Sequence, residues 1–304
     1  MVHAPDRVTE SLPAPEQTRA RYPDTTGFVE RGGVRIFYEV YGSGEPTILL
    51  LPSWSIVHSR LWKLQIPYLA RRFRVVTFDP RGNGRTDRPT NANAYGEAEF
   101  AADALAVMDA TGTQRAVLVS LSMGAQRALL VASEQPDRVA GAVFIAPALA
   151  LDPVAPRRKS GEFLEPQDSD EGWAKYNGPY WRRDYRGFLE FFFGQCLNEP
   201  HSTKPTEDSV GWGLDTDAET LILTQLGPGI GDRDAILARA ERVRCPVLVI
   251  HGTDDAIRPH RHGEELARLT GGSLMTIAGG GHLPNVRDPV KVNLAIGDFV
   301  GSLR

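Results

Sequence analysis

Short apolar runs alternate along the chain with stretches whose apolar residues recur every three to four positions. "TILLLP" (Thr47 to Pro52) is continuously apolar, as a strand covered on both faces should be. "RVVTFD" (Arg74 to Asp79), "AVLVS" (Ala116 to Ser120), "GAVFIAP" (Gly141 to Pro147) and "PVLVIHG" (Pro246 to Gly252) share that character. "VRIFYEVYG" (Val34 to Gly42) alternates like an exposed-edge strand, and "SLMTIAG" (Ser273 to Gly279) reads as a weaker one. Helical periodicity covers Leu61 to Arg72, Glu97 to Ala110, Gly124 to Glu134, His260 to Thr270 and Pro289 to Leu303. Strands alternating with helices predict an α/β fold with a mostly parallel sheet flanked by helices.

One region breaks this rhythm. From Leu151 to Asp234 no strand signal appears, and "EGWAKYNGPYWRRDYRGFLEFFFGQC" crowds aromatic and charged residues together. A linker would not carry so many rings, so the region reads as an inserted helical cap or lid. The polar, proline-containing start, residues 1–26, reads as a leader or an arm laid across the surface. The expected organisation is leader 1–26, first part of the core 27–150, cap 151–234 and second part of the core 235–304.

Charge and cysteine content narrow the function classes. With 34 basic against 38 acidic side chains, the formal charge of −4 leaves no basic excess to neutralise phosphates, so no nucleic-acid partner is expected. No apolar run reaches the ~20 residues of a membrane span, and the start of the chain lacks a signal-peptide apolar region. The expected location is cytoplasmic. Cys196 and Cys245 are isolated and read as small buried hydrophobes. No His, Asp, Glu or Cys cluster has metal-ligand spacing, so neither metal nor cofactor is expected.

The candidate chemistry begins at "VLVSLSMGAQ" (Val117 to Gln126), where an apolar strand runs into Ser120 and Ser122 and a helix follows at once. A serine at such a corner is presented at the carboxyl end of the sheet, where open α/β folds bind ligands. On the local pattern alone either serine is a candidate. A sharp strand-to-helix turn needs small residues two before and two after the exposed side chain. Ser122 has Ser120 and Gly124 there, which makes it the expected nucleophile. A serine nucleophile needs a base. His282 in "IAGGGHLPNVRDP" follows the last strand, on a glycine-rich loop able to bend back over the sheet. The base needs an orienting carboxylate. "VLVIHGTDDAIRP" offers Asp254 and Asp255 after a buried strand, with Asp255 the choice and Asp254 the alternative.

The order Ser122, Asp255, His282 is that of α/β-hydrolases, and the chain resembles that family over about residues 27 to 303. "FDPRGNGRTDRP" (Phe78 to Pro89) is similar to the family's D-x-R-G-x-G-x-S turn. "EQPDRVAGAVFIAPA" resembles its helix-to-strand segment after the elbow. The resemblance implies an oxyanion hole of two backbone N–H groups, which by position are Met123 and Trp54. Pro52 and Ser53 stand where the family usually has His-Gly. The residues expected to meet substrate are Ser53, His58, Trp181 and Phe192. For His58, packing or a solvent contact is the stronger alternative.

The expected activity is a metal-free serine hydrolase with a small-molecule substrate, an ester, thioester or lactone with a hydrophobic acyl or aryl part. A carbon–carbon bond hydrolase or a cofactor-free perhydrolase on the same scaffold is an alternative, and so is a non-catalytic small-molecule receptor. A homodimer is compatible with the sequence, which does not fix the oligomeric state.

Overall fold

The computed structural model describes residues 19–151 and 163–303. Expectations for residues 1–18 of the leader and 152–162 at the start of the cap lie outside the described residues. The strands are β1 (Thr25–Arg31), β2 (Val34–Tyr41), β3 (Thr47–Leu50) and β4 (Val75–Phe78), then β5 (Ala116–Leu121), β6 (Val139–Ile145), β7 (Val247–Gly252) and β8 (Ser273–Ile277). They form one sheet in the order β1-β2-β4-β3-β5-β6-β7-β8. β1 and β2, and β2 and β4, pair antiparallel; all other neighbours are parallel.

The connections carry α1 (Ile66–Leu69), α2 (Glu97–Ala110) and α3 (Gly124–Glu134). Between β6 and β7 come α4 (Gly178–Arg183), α5 (Tyr185–Cys196), α6 (Thr203–Gly213), α7 (Ala218–Leu226) and α8 (Arg233–Ala240). Helix α9 (Arg261–Thr270) follows β7, and α10 (Pro284–Arg287) and α11 (Pro289–Ser302) follow β8.

The continuous apolar runs are explained by two cores. Along β5, Val117 and Val119 enter one core while Ala116 and Leu118 enter the other. Leu69 of α1 and Ile296 of α11 close the first; Ala104, Leu129, Ile236 and Leu266 of α2, α3, α8 and α9 close the second. Helices α4 to α7 add Trp181, Phe188, Trp212 and Leu221 to the first core. They meet it at Trp54, whose ring centroid lies 5.8 Å from Trp181 and 5.4 Å from Phe192.

Two expectations are corrected. β2 is not the sheet edge, because β1 pairs along its outer side. Most positions of "TTGFVER" are exposed or half-buried, so β1 offers no apolar alternation to read. The helix expected over Leu61 to Arg72 is broken into a 3-10 turn (Ser59–Trp62) and the short α1. Pro67 lacks an N–H and cannot lie inside a continuing helix, so α1 begins afresh around it.

Candidate active site

β5 ends and α3 begins across Ser122 and Met123, and the turn holds Ser122 at φ 52°. A positive φ costs a serine about 1 kcal/mol, so the surroundings must hold it there. They do so through both backbone groups. Ser122 N–H donates to Ile145 O at 2.9 Å, and Ser122 O accepts from Ala125 and Ala148 N–H at 3.0 Å each. The flanking residues fit tightly. A Cβ on Gly124 would stand 2.8 Å from Pro52 O. Ser120 is fully buried, and its hydroxyl donates to Val143 O at 3.1 Å, across to β6.

The structure brings Ser122, His282 and Asp255 into one line. His282 Nε2 lies 2.9 Å from Ser122 Oγ, and His282 Nδ1 lies 2.7 Å from Asp255 Oδ2. An ionised carboxylate only accepts, so Nδ1 carries the proton and donates, leaving Nε2 of the neutral ring to accept from the serine hydroxyl. Asp255 Oδ1 accepts from Ile257 and Arg258 N–H at 2.7 and 2.8 Å. Burial works against the Asp255 charge. Electrostatic attraction to and hydrogen bonds from the two imidazoles, His282 and His251, outweigh it and hold the carboxyl well below the usual carboxylate range. Asp254 is exposed and bonds instead to Thr253, Asn198 and Gly280.

The loop bearing His282 is gripped by the chain leaving α5. Cys196 O accepts from His282 N–H at 3.1 Å, and Glu199 Oε1 accepts from Gly281 N–H at 2.7 Å. Asn198 Nδ2 donates to Asp254 O at 2.9 Å. A side chain at Gly281 would collide with Asn198, 2.4 Å from its Cβ.

A cavity of about 240 Å³ opens at Ser122 and His282. Trp54, Phe192 and Phe193 form much of its apolar wall, and Glu97, Gln126 and Gln225 add polar groups. Of the residues expected to meet substrate, Ser53 and Phe192 border the cavity and His58 and Trp181 do not. His58 Nε2 pairs with Asp215 Oδ2 at 3.1 Å. Trp181 is fully buried and stacks on Phe188 at 4.3 Å. Trp54 and Met123 both line the cavity, and among the described residues the N–H of neither donates to a protein acceptor. The Trp54 ring donates through Nε1 to Thr224 Oγ1 of α7 at 2.7 Å. Among the described residues no three His, Cys, Asp or Glu side chains form a metal-holding group, and no helix is long and apolar enough to cross a membrane.

This arrangement of sheet, elbow and loops has known counterparts. The family described as the alpha/beta hydrolase fold matches residues 46–289. The chain belongs to that family. AB hydrolase superfamily protein YisY of Bacillus subtilis is 26% identical over 273 residues, which are 88% of this chain and 96% of that relative. Among solved structures, the enol-lactonase from Burkholderia xenovorans LB400 superposes with a TM-score of 0.75. It is 20% identical and covers 90% of this chain and 100% of its own. The esterase RhEst1 from Rhodococcus sp. ECU1013 gives a TM-score of 0.73 at 25% identity, over 91% of this chain and 98% of its own. Relatives named as hydrolases place this α/β-hydrolase chain among enzymes.

Two groups at this α/β-hydrolase site escaped the sequence reading. His251, inside β7, is fully buried with Nε2 3.0 Å from Asp255 Oδ2 and 3.1 Å from Arg258 O. Both neighbours only accept, so Nε2 is the protonated nitrogen. The other is Arg127, paired with Glu97 behind the loop of Pro52 and Ser53. One polar residue within an apolar run was the only sign of either.

Proposed function

We propose that this enzyme is a serine hydrolase cleaving a small ester, thioester or lactone with a hydrophobic acyl or aryl part. The observation that carries the reading is the unbroken hydrogen-bond line from Asp255 through His282 to Ser122, ending at an apolar cavity. Ser122 Oγ attacks the carbonyl carbon as His282 Nε2 takes its proton. The resulting oxyanion accepts from Trp54 and Met123 N–H. His282 then protonates the leaving group, and the acyl-enzyme forms. Water, deprotonated by the same nitrogen, attacks the acyl carbon, and Ser122 recovers its proton. Asp255 holds the imidazole in the Nδ1–H tautomer and stabilises the imidazolium.

Helices α4 to α7 serve as a cap, with Phe192 and Phe193 of α5, and Tyr176 just before α4, facing the substrate. The cavity, at about 240 Å³, is smaller than ordinary ligand pockets of ~300–1,000 Å³, and this favours a compact acyl group over a long chain. The esterase and enol-lactonase names of structural relatives agree with that substrate class.

The test is a turnover series over p-nitrophenyl esters and lactones, with fluorophosphonate labelling beside it. The acetate or butyrate ester should turn over faster than the palmitate. Ser122→Ala should remove labelling and lower kcat by about 10⁴-fold or more while leaving the fold intact. Parent-like turnover by Ser122→Ala would overturn the reading.

A further inference from the structure

Arg127 lies on α3 with 1% of its surface exposed, and the serine chemistry above gives it no part. Its Nε donates to Glu97 Oε2 at 2.9 Å, and its guanidinium carbon sits 3.7 Å from the centre of the Phe100 ring. Burial pushes the Glu97 carboxyl up, while the Arg127 charge and hydrogen bond pull it back. The remaining arm has an unusual task. Nη1 donates to two successive carbonyls, Pro52 O at 2.8 Å and Ser53 O at 2.5 Å.

Those carbonyls belong to the loop that supplies the Trp54 N–H. The Ser53–Trp54 peptide is trans, so its C=O and N–H point in opposite directions across one plane. Fixing Ser53 O against Arg127 turns Trp54 N–H the opposite way. Ser53, Trp54, Ser122 and Met123 all border the cavity, whereas Arg127 does not. A charged donor on the carbonyl also polarises the peptide and strengthens its N–H as a donor. Glu97 holds the guanidinium from the other side, so one arm is left for the loop. Pro52 has no N–H of its own, and neither Pro52 nor Ser53 has a side chain reaching these carbonyls; their hold comes from Arg127.

We infer that the buried Arg127–Glu97 pair is a positioning device for the oxyanion hole: it aims and polarises the Trp54 N–H through the Ser53 carbonyl. The inference rests on the serine-hydrolase reading. Arg127 itself does not border the cavity, whereas Glu97 does. The pair acts on the one donor that lies on a loop rather than at the start of a helix.

The test compares Arg127→Lys and the double variant Arg127→Met/Glu97→Gln with the unmutated enzyme. Lysine keeps the charge but cannot span Glu97 and two carbonyls at once. In Arg127→Lys, kcat should fall about tenfold or more with KM within about twofold. Affinity for an alkyl boronic acid, which places an oxygen in the hole, should fall by the same factor as kcat/KM. The double variant, which leaves no buried unpaired charge, should show the same fall in kcat; its KM is left out of the comparison because Glu97 lines the cavity. In the unmutated enzyme, whatever the variants' stability, the Trp54 amide proton should move downfield when the boronic acid binds. A folded Arg127→Lys with parent-like kcat and boronate affinity, or a Trp54 amide that does not move, overturns the inference. If fluorophosphonate fails to label Ser122 in the unmutated enzyme, the serine reading falls and this inference with it. Normal labelling with an unaffected Arg127→Lys overturns this inference alone.

Discussion

Oδ2 of Asp255 serves two imidazoles, His282 at 2.7 Å and His251 at 3.0 Å, and all three residues are buried. The folded state holds this carboxyl below its ordinary value of 3.8. Asp255 therefore contributes stability above that value, and the contribution is lost as pH falls from there toward the lowered one. Asp255→Asn cannot titrate, and His251→Leu removes one of the bonds that lowers the group. Both variants should lose less stability than the parent between neutral pH and about pH 3, as followed by denaturant unfolding at stepped pH. Equal losses in all three proteins would rule the account out. Activity separates the two: Asp255→Asn should drop kcat by ~10³–10⁴, whereas His251→Leu keeps the His282 bond and should lose about tenfold or less. Ser122, Asp255 and His282 were legible in the sequence because each follows a readable strand and sits beside glycines or a turn. His251 and Arg127 were not, because a polar residue within a buried run says nothing about which acceptor it faces.

At the scale of elements, the corner between β5 and α3 depends on two small residues in different ways. Ser120 is buried and makes a bond to β6; at Gly124 a Cβ would stand 2.8 Å from Pro52 O. Ser120→Gly should cost about 1 kcal/mol through a lost hydrogen bond and a freer backbone, with kcat within about twofold of the parent. Gly124→Ala pushes a methyl against Pro52 O, the carbonyl that Arg127 also holds. It should cost about 1–3 kcal/mol and lower kcat more than KM, as thermal unfolding and steady-state kinetics would show. Neither cost arising would mean the loop yields freely. The strands buried on both faces and helices α2, α3, α9 and α11 were readable from period alone. β1 was hidden by exposure, and the interruption at α1 by apolar periodicity that ran on through Pro67, although the proline itself marks a break.

Across the whole molecule, the inserted helices share a core and an ion-pair network with the sheet domain. Lys63, after the 3-10 turn of the core, and Lys204, in α6, both bond to the buried Asp208 carboxylate. The burial of Asp208 opposes its charge, but the two lysines outweigh it and lower its pKa. Asp208→Ala should lower the thermal midpoint by a few degrees, about 1 kcal/mol given the partly wet lysines, and raise KM as the helices loosen over the cavity. An unchanged midpoint and KM would show that apolar packing alone seats the insert. That the region was helical could be read from its missing strand signal. Which rings would face the cavity could not, because tertiary packing decides between Phe192 at the wall and Trp181 inside.

The Cys196–Glu199 stretch gives this insert an awkward border for anyone recombining family members. Its residues lie within the inserted sequence, yet their partners are Gly281, His282 and Asp254. Exchanging the insert whole would import a foreign clasp for the His282 loop along with new cavity walls. A graft that replaces the helices on either side and retains Cys196 to Glu199 should still label at Ser122; a wholesale exchange should label slowly. The portable unit is thus two pieces of chain, with a segment between them that stays with the His282 loop.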